Sequence, residues 1–545
     1  MLRARLGPPG RRTDFKDPMS LSCSIRHLAA VTALGAAALP AAHAASFNPT
    51  LPAEPRLPTA TEVCKTLTAS LTQTGGLLPS SVDADPTHSQ PDTAQIQDAI
   101  NHCPAGQAVR LVASGNANAF LSGPLVLNSG VTLWVDSNVT LFASRSPKDF
   151  DNGGGRCGTA GGDGKSCNAL IRLKNAANSR IVGDGRIDGR GGAVLTSGPN
   201  AGKMTWWDVA NLLEATGKKQ NNPRLVNLIG GSNFTLYRIS LLNSPNAHVV
   251  VSGLTGFVAW GTKVLAPSLA YTRPNYACPA GTTPNPDVAA TQPSTCFTPA
   301  TAANTDGIDV VESSKVRIAH SSISTGDDHI AIKAADAPAS DIYIAHNDLY
   351  HGHGMSIGSE TTQGVNQVRV DDLSIDGFDD AQVNGLRIKT YDSVGGTVSN
   401  VIFANVCMRN VKQPLIFTPY YSSGNHSTAP NINDILLQNI HVLSSAKYGA
   451  GKLVFRGYRN GSVVNPLKMT LDNVVFDSTS FLTADGKKGG PTQPDDATLT
   501  LGPGPVTIPF AASSTFKLID QRAGAQAPRA CDSAFPPFPL AEAPI

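Results

Sequence analysis

The chain has 545 residues, only 15% of them charged, and a formal net charge of +2 at pH 7. It contains no basic run of the kind that binds nucleic acid, so that class of partner is not expected. Hydrophobic residues make up 41% of the sequence, which is enough to bury one long core, and we predict no second domain.

Residues 1–45 are predicted to be a leader that contains a signal peptide. From Met19, a cationic pair at residues 26–27 precedes an apolar run at 28–39, and Ala42-His43-Ala44 resembles a signal-peptidase site. Translation is therefore expected to start at Met19. The apolar run is too short to span a bilayer, and no other stretch is long and apolar enough. We therefore expect a secreted, extracellular protein that has no membrane partner.

Eight of the nine cysteines follow the predicted leader, and an even number in a secreted chain indicates disulfides. Short loops predict two pairs: Cys157–Cys167 and Cys278–Cys296. The other four cysteines are assigned, without a spacing argument, to two further pairs: Cys64–Cys103 and Cys407–Cys531. No C-x-x-C motif occurs, so no zinc site is predicted, and we expect no other metal or cofactor.

The chain after the leader divides into three predicted segments. Residues 46–175 form an N-terminal cap with the first coils, residues 176–480 form the regular coils, and residues 481–545 form a C-terminal cover. A helix is predicted around Thr93 to His102, where it would plug the open end of the coils. The long Pro-rich stretch 266–303 is predicted to lie over a cleft.

A repeat underlies the regular coils. Three segments with the same alternation of polar and apolar residues begin at Ser314, Ser340 and Asn366, each 26 residues after the last. Such alternation predicts short strands, and a period in the twenties predicts a solenoid. The leucine-rich-repeat frame is not found, and no helical periodicity is seen between about Asn178 and Ser480. The sequence therefore predicts an all-β protein, a right-handed parallel β-helix of roughly ten coils with an N-terminal helical cap.

Polar motifs recur on this repeat. They are NTDGID from Asn304, TGDDHIAIK from Thr325, GHGMSIGSE from Gly352 and NGLRIKT from Asn384. Aligned on their apolar cores, the motifs place Asp306, Asp328, His353 and Asn384 in one column, in steps of 22, 25 and 31 residues. Equivalent positions on successive coils lie about 4.8 Å apart. The column, with Asp327 beside it, therefore predicts a vertical stack of acids and a histidine.

Stacked Asp or Asn residues in a solenoid are ordinarily a structural ladder, in which side chains bond from coil to coil. Two stacked carboxylates beside a third are different, because they raise each other's pKa unless something uses or neutralises them. The cluster therefore predicts a functional site.

The four motifs resemble those of polygalacturonases, glycoside hydrolase family 28, whose members carry NTDG, a DD pair, GHG and RIK in this order. SPNAHV, from Ser244 to Val249, resembles a further element of the family. The resemblance covers roughly residues 50–535 and is strongest to secreted bacterial endopolygalacturonases of plant pathogens. One departure is His329, where many members have Cys. The resemblance implies a pectin-lyase-like β-helix that hydrolyses polygalacturonate, the de-esterified pectin of plant cell walls.

The resemblance also assigns the chemistry. Glycoside hydrolysis needs a carboxylic acid that protonates the leaving oxygen and a carboxylate that acts on water or on carbon. Asp327 is assigned as the general acid, and Asp306 and Asp328 as the pair that activates water, with inversion as the outcome. Spacing alone would not have distinguished inversion from retention. We expect neighbouring negative charge to help keep Asp327 protonated, and His353 to tune the proton on the cluster.

The remaining predicted site residues contact substrate. Arg387 and Lys389 lie two apart on a strand, face one side, and are suited to the carboxylate that each sugar of polygalacturonate carries. Weaker contacts are implied for Tyr421, with Tyr420 as its alternative, and for Asn304 and His248. We expect a monomer whose partner is the polysaccharide.

Two other classes of function remain open from the sequence. A pectate lyase on the same scaffold would use Ca²⁺ and an Arg base, and a non-catalytic carbohydrate-binding β-helix would need no acids. Within the family, exo-acting and rhamnogalacturonan-cleaving enzymes are alternatives. We predict endo cleavage, because the coils after Asp306 keep short connections and only the stretch 266–303 is placed to block an end of the groove.

Overall fold

The computed structural model describes residues 46–159, 161, 166–215, 220–282, 292–393, 395–423, 428–483 and 489–538. The predicted leader, residues 1–45, lies outside these. The helices are α1 (Thr93–His102), α2 (Pro147–Phe150) and α3 (Trp206–Ala215), with 3-10 turns at Ala60–Glu62, Pro86–His88, Pro274–Tyr276 and Pro299–Thr301. No helix in these ranges is long and apolar enough to cross a membrane.

The strands, in chain order, are β1 (Val63–Thr68), β2 (Ala108–Val112), β3 (Ala119–Ser122), β4 (Leu125–Val126), β5 (Thr132–Val135), β6 (Thr140–Ala143), β7 (Ile171–Lys174), β8 (Arg180–Val182), β9 (Arg186–Asp188), β10 (Val226–Ile229), β11 (Ser232–Tyr237), β12 (Ser240–Leu242), β13 (Val249–Ser252), β14 (Thr255–Trp260), β15 (Lys263–Leu265), β16 (Ile308–Val311), β17 (Ser314–Ala319), β18 (Ser322–Ser324), β19 (Ile330–Lys333), β20 (Ala339–Leu349), β21 (Met355–Ile357), β22 (Val365–Asp376), β23 (Asn384–Tyr391), β24 (Thr397–Arg409), β25 (Gln413–Ser422), β26 (Asn431–Ile432), β27 (Ile435–Val442), β28 (Leu453–Phe455), β29 (Tyr458–Asn460), β30 (Val463–Asn465), β31 (Leu467–Phe476), β32 (Ala497–Leu501) and β33 (Phe516–Asp520).

The strands form a parallel β-helix, as the sequence predicts. A ten-stranded parallel sheet runs β4-β7-β10-β13-β16-β19-β21-β23-β25-β28, one strand for each coil, and a 21-stranded sheet forms the other walls. The hairpin β29–β30 is antiparallel. The 21-stranded sheet continues through β32 and β33, beyond residue 480. The ten strands of the smaller sheet agree with the roughly ten coils expected.

The apolar alternation sets the register of the coils. On β17, Val316 and Ile318 are buried while Arg317 between them is only partly buried. Ser314 pairs with Ser340, and Ser340 pairs with Asn366, so the three predicted repeat copies stack in register. A slip of one residue would turn the apolar side chains outward, which is why this pattern specifies the stacking.

A ladder of asparagines supports one corner of the coils. Asn439 Nδ2 donates to Asn405 Oδ1 at 3.1 Å, and Asn473 Nδ2 donates to Asn439 Oδ1 at 3.0 Å. All three residues have φ near +55°, a conformation that Asn adopts more readily than most residues. This ladder is structural, unlike the acidic column.

The N-terminal cap is the predicted helix. α1 packs against β2 and against β4, the terminal strand of the ten-stranded sheet, and buries Ile96 and Ile100 completely. A further helix, α3, lies between Asn178 and Ser480, where the sequence shows no sustained helical periodicity. Its side chains are apolar on more than one face, with Trp206, Trp207, Val209 and Ala210 all buried, so the sequence shows no amphipathic period.

The stretch 266–303 packs against α3. The rings of Trp207 and Phe297 lie 5.0 Å apart, and Asn211 Nδ2 donates to the carbonyl of Thr301 at 2.6 Å. The two insertions therefore form one lobe, here called the rim lobe, which comprises α3 and the described parts of 266–303. The cysteines form all four expected pairs: Cys64–Cys103, Cys157–Cys167, Cys278–Cys296 and Cys407–Cys531.

Candidate active site

The acidic column exists as the alignment predicts. Ile308, Ile330, Met355 and Leu386 pair across β16, β19, β21 and β23. The residues two positions before each of them are Asp306, Asp328, His353 and Asn384. The turns that enter four successive strands of the ten-stranded sheet therefore carry the site.

Asp327 lies at the centre of a hydrogen-bonded group. Its Oδ1 is 2.9 Å from Nδ1 of His353 and accepts from the backbone N–H of Asp328 at 2.8 Å. Its Oδ2 accepts from Asn304 Nδ2 at 3.2 Å. Burial raises the pKa of Asp327, but the hydrogen bond and charge of His353 and the charge of Lys389 outweigh it, so the pKa lies below its usual range.

His353 shows the opposite pKa shift to Asp327. Burial lowers the pKa of its imidazole, but the hydrogen bond to Asp327 and the charges of Asp327 and Asp328 raise the pKa above the ordinary value. The His353–Asp327 pair therefore holds one proton between the two groups. Gln382 Oε1 lies 3.4 Å from the other ring nitrogen, Nε2.

Asp328 is the most enclosed of the acids. Its Oδ2 is 2.7 Å from Lys389 Nζ, and its Oδ1 is 3.3 Å from Arg387 Nη1 and accepts from Ser356 Oγ at 2.9 Å. Arg387 Nη1 also donates to the carbonyl of His353 at 2.9 Å. The two cations predicted to read substrate carboxylates are thus both engaged with an acid of the site.

Asp306 has the opposite electrostatic environment to Asp327. Burial raises its pKa well above the ordinary value, and the charges of Asp327 and Asp309 add to the increase. Lys333 Nζ, 3.8 Å from Asp306 Oδ2, acts against it. The expectation that crowding would keep the proton on Asp327 is therefore not met: crowding and burial favour the proton on Asp306, because Asp327 is stabilised as an anion by its hydrogen bonds.

Lys333 and Asp309 were missed as site residues. Lys333 Nζ is 3.2 Å from Asp309 Oδ2, so the ammonium bridges Asp306 and Asp309. Both residues stand inside quoted motifs, NTDGID and TGDDHIAIK. Their alternation with buried Ile308 and Ile332 was the available signal, because it directs them away from the core.

The weaker predicted contacts are placed unequally. Asn304 is exposed, and besides Asp327 it contacts Gln220, whose Nε2 donates to Asn304 Oδ1 at 3.0 Å. Tyr421 is 53% exposed, with its ring centroid 4.7 Å from Lys389 Nζ. The hydroxyl of Tyr420 instead accepts from the backbone N–H of Arg459 at 2.8 Å.

His248 is not brought to the cleft. It is fully buried, its Nδ1 lies 3.1 Å from the carbonyl of Asp306, and burial lowers its pKa to about 4. Val249 pairs with Ile308, so His248 aligns with Gly307, one position off the acidic column. The structure therefore gives His248 a position where it supports the backbone of Asp306.

His329 occupies the same inner column as His248. It is fully buried, and burial lowers its pKa to about 4. Its Nδ1 accepts the backbone N–H of Gly354 at 3.0 Å, which helps fix the turn that carries His353. A side chain at Gly352, where φ is +147°, would place its Cβ 2.7 Å from the His329 ring. The His329 ring and the carbonyl of Asp327, 2.8 Å from the same Cβ position, therefore leave room only for glycine at 352.

A cleft of about 890 Å³ lies along the ten-stranded sheet next to the acidic column, and Asp309 and Lys333 line it. Its charged lining is mixed, with four cations, Arg172, Lys174, Arg224 and Lys333, and four acids, Asp309, Glu312, Asp336 and Glu360. The first three cations belong to coils on the N-terminal side of the acidic column.

Comparison with known proteins identifies the family. A family model described as glycosyl hydrolases family 28 matches residues 103–475. The chain belongs to this family.

Relatives in family 28 match most of the chain. It is 50% identical over 525 residues to a polygalacturonase of Ralstonia nicotianae, covering 94% of this chain and 98% of that protein. It is 41% identical over 404 residues to an endo-polygalacturonase of Pectobacterium parmentieri, covering 74% and 88%. The solved polygalacturonase of Erwinia carotovora ssp. carotovora superposes with a TM-score of 0.60 at 34% identity, covering 89% and 99%.

The site of this family 28 protein does not suit the calcium chemistry of the lyase alternative. Ligand atoms of Asp327, Asp328 and His353 lie within 4.8 Å of one another, the one such group in the described ranges. However, both oxygens of Asp328 already face a cation, Arg387 or Lys389. Ca²⁺ takes six to eight oxygen ligands, which this group does not supply. The donor set therefore favours acid–base chemistry.

Proposed function

We propose that this protein is an endo-polygalacturonase, which hydrolyses α-1,4-galacturonosidic bonds of polygalacturonate with inversion. The observation that carries the proposal is the grouping of Asp306, Asp327 and Asp328 at one point of the sheet, with the His353–Asp327 hydrogen bond of 2.9 Å beside them. Glycoside hydrolysis needs one carboxyl group that delivers a proton and another that acts on water, and this group of acids with a proton-bearing histidine can supply both.

The proposed reaction is a single displacement. The proton held by the His353–Asp327 pair rests on His353, moves along their hydrogen bond to Asp327, and passes from Asp327 to the leaving glycosidic oxygen. Asp306, once ionised, accepts a proton from water, and Asp328, whose charge Arg387 and Lys389 balance, orients that water. Water attacks the carbon from the face opposite the leaving group, so one displacement inverts the configuration.

Charge supports polygalacturonate as the substrate. Asp328 neutralises part of Arg387 and Lys389, but together they carry more positive charge than it removes. Tyr421 covers Lys389 from the solvent side and offers an exposed ring beside the scissile bond. On the N-terminal coils, Arg172, Lys174 and Arg224 line the groove, and each offers a partner for a sugar carboxylate of the polymer.

Endo action and secretion belong to the same proposal. The groove runs over several coils, and the relative in Pectobacterium parmentieri is named an endo-polygalacturonase. Four disulfides suit an oxidising compartment, and the leader predicted at residues 1–45 would deliver the chain there. We propose that the secreted protein acts as a monomer on plant cell walls.

Product length over time tests the proposal. Purified protein acting on de-esterified polygalacturonate should lower viscosity sharply when few bonds are cut, and should release mixed oligomers early. Monomer or dimer as the sole early product would assign exo cleavage instead. Products with an ultraviolet-absorbing double bond, or loss of activity in a chelator, would assign the lyase reaction. Preference for highly methyl-esterified pectin would contradict recognition of carboxylates.

A further inference from the structure

Lys333 is a partly buried cation beside the acids, and neither the proposed acid–base steps nor substrate recognition gives it a role. It ends β19, where Ile330 and Ile332 point into the core and Lys333 faces the cleft side of the sheet. Its side chain is only 23% exposed. The ammonium lies 3.2 Å from Asp309 Oδ2 and 3.8 Å from Asp306 Oδ2.

The charges around Asp306 make this ammonium important. The negative charges of Asp309, Asp327 and Asp328 all oppose ionisation of Asp306. Within the described residues, Lys333 is the cation at ion-pair distance from Asp306. Other charged or titratable groups near the bridge are Arg224 beside Asp309, Glu360 beside Lys333, His353 on Asp327, and the buried His248 against the Asp306 carbonyl. Arg387 and Lys389 are engaged with Asp328.

Asp309 fixes the position of the Lys333 ammonium. Its Oδ2 faces Lys333, and its other oxygen, Oδ1, has no hydrogen-bond partner among the described residues. Asp306 lies just before β16, and Asp309 lies near its start. Without Lys333, these two carboxylates would have no cation between them.

We propose that Lys333 is a positioning residue for the base: its ammonium, anchored by Asp309, holds the Asp306 carboxylate in place and allows it to ionise at the working pH. The inference rests on the proposed function, in which Asp306 takes the proton of the attacking water. The same lysine also lines the cleft, so binding of a substrate carboxylate is the competing role that the experiment must separate.

The experiment compares four proteins: wild type, Lys333→Gln, Lys333→Arg and the control Lys468→Met. Lys468 is exposed on β31, so its loss removes one lysine charge without touching the site. Gln keeps a hydrogen-bond donor at this position but removes the charge, and Arg keeps the charge. Steady-state rates on de-esterified polygalacturonate are measured across a pH series, with the thermal midpoint as the check on folding.

Lys333→Gln should move the acid limb of the kcat profile to higher pH by about 1–3 units, the usual effect of a nearby opposite charge on an Asp. Its kcat at the wild-type optimum should fall at least about tenfold, as expected when a base is largely protonated, while KM changes little. Lys333→Arg should restore the position of the limb, and Lys468→Met should match wild type. A raised KM with an unmoved limb would make Lys333 a substrate ligand, and neither change would make it merely structural; both overturn the proposal.

A second readout needs no activity. The carboxyl resonance of Asp306, identified in ¹³C-Asp-labelled protein by its absence from Asp306→Asn, should titrate at higher pH in Lys333→Gln than in wild type. An unchanged titration would refute the link between Lys333 and Asp306. A wild type that titrates as expected but leaves polygalacturonate intact would instead refute the proposed function, so the two failures are distinguishable.

Discussion

Replacing Lys389 with Met should weaken both the fold and the catalysis. The Lys389–Asp328 pair spans 2.7 Å, with side chains only 7% and 3% exposed. Removing one partner of a buried pair costs about 3–5 kcal/mol in the free energy of unfolding, because the other charge stays buried. Asp328 keeps Arg387 and Ser356 as partners, so we expect about 3 kcal/mol. The measurement is urea unfolding followed by tryptophan fluorescence at neutral pH.

A matched pair on the surface provides the control. Arg238 and Asp184 also lie 2.7 Å apart, but their side chains are 45% and 30% exposed. Arg238→Met should therefore cost only about 0–1 kcal/mol. The double variant Asp328→Asn/Lys389→Met should regain most of the stability while remaining inactive. If Lys389→Met is no less stable than Arg238→Met, or if the double variant loses the sum of both single losses, the buried-pair reasoning is refuted.

Four further outcomes are expected. Asp327→Asn should lower kcat by about 10²–10⁴-fold in protein that remains folded at the assay temperature; near-normal turnover of that folded variant would remove Asp327 from the acid role. The kcat/KM profile should be bell-shaped, with its acid limb above pH 3.8 and its alkaline limb above pH 6.5, since the pKa values of Asp306 and His353 are both raised from those ordinary values. Asp306→Asn should have a higher free energy of unfolding than wild type at neutral pH, by about 1.4 kcal/mol for each unit by which the pKa of Asp306 is raised. Wild-type stability falls as the pH rises from the ordinary to the raised pKa, because the folded protein then has to ionise Asp306. The advantage of the variant should therefore vanish in thermal melts below pH 3.8. Tyr421→Ala should raise KM several-fold while Tyr420→Ala does not, and equal effects would contradict the placement of the two rings.

The register of the site could be read from the sequence because the apolar residues fix it. Ile308, Ile330, Met355 and Leu386 must all point inward, and a one-residue slip would expose every one of them. The same logic would have excluded His248, since it aligns with Gly307 rather than with Asp306. Its place in the SPNAHV segment indicates a substrate contact, whereas its register with Gly307 places it in the inner column.

The pairing of side chains could not be read from the sequence. Lys333 on β19 and Lys389 on β23 occupy the same register position, yet one contacts Asp306 and the other Asp328. Which acid each lysine reaches depends on side-chain directions across neighbouring coils, and strand register does not determine these directions. The protonation of Asp327 was misjudged for the same reason, because its hydrogen bonds come from three different turns.

The unequal steps of the acidic column have a wider consequence. Coils of 22, 25 and 31 residues deliver Asp306, Asp328, His353 and Asn384 to one line, because the extra residues leave through loops while the strands stay paired. Loop length at the rim is therefore decoupled from the position of the catalytic groups. The rim lobe is the exception, because the carbonyls of Pro299 and Ala302 lie against Gly326, directly before Asp327, so a change at that end of the lobe would reach the acids while changes in the other loops would not.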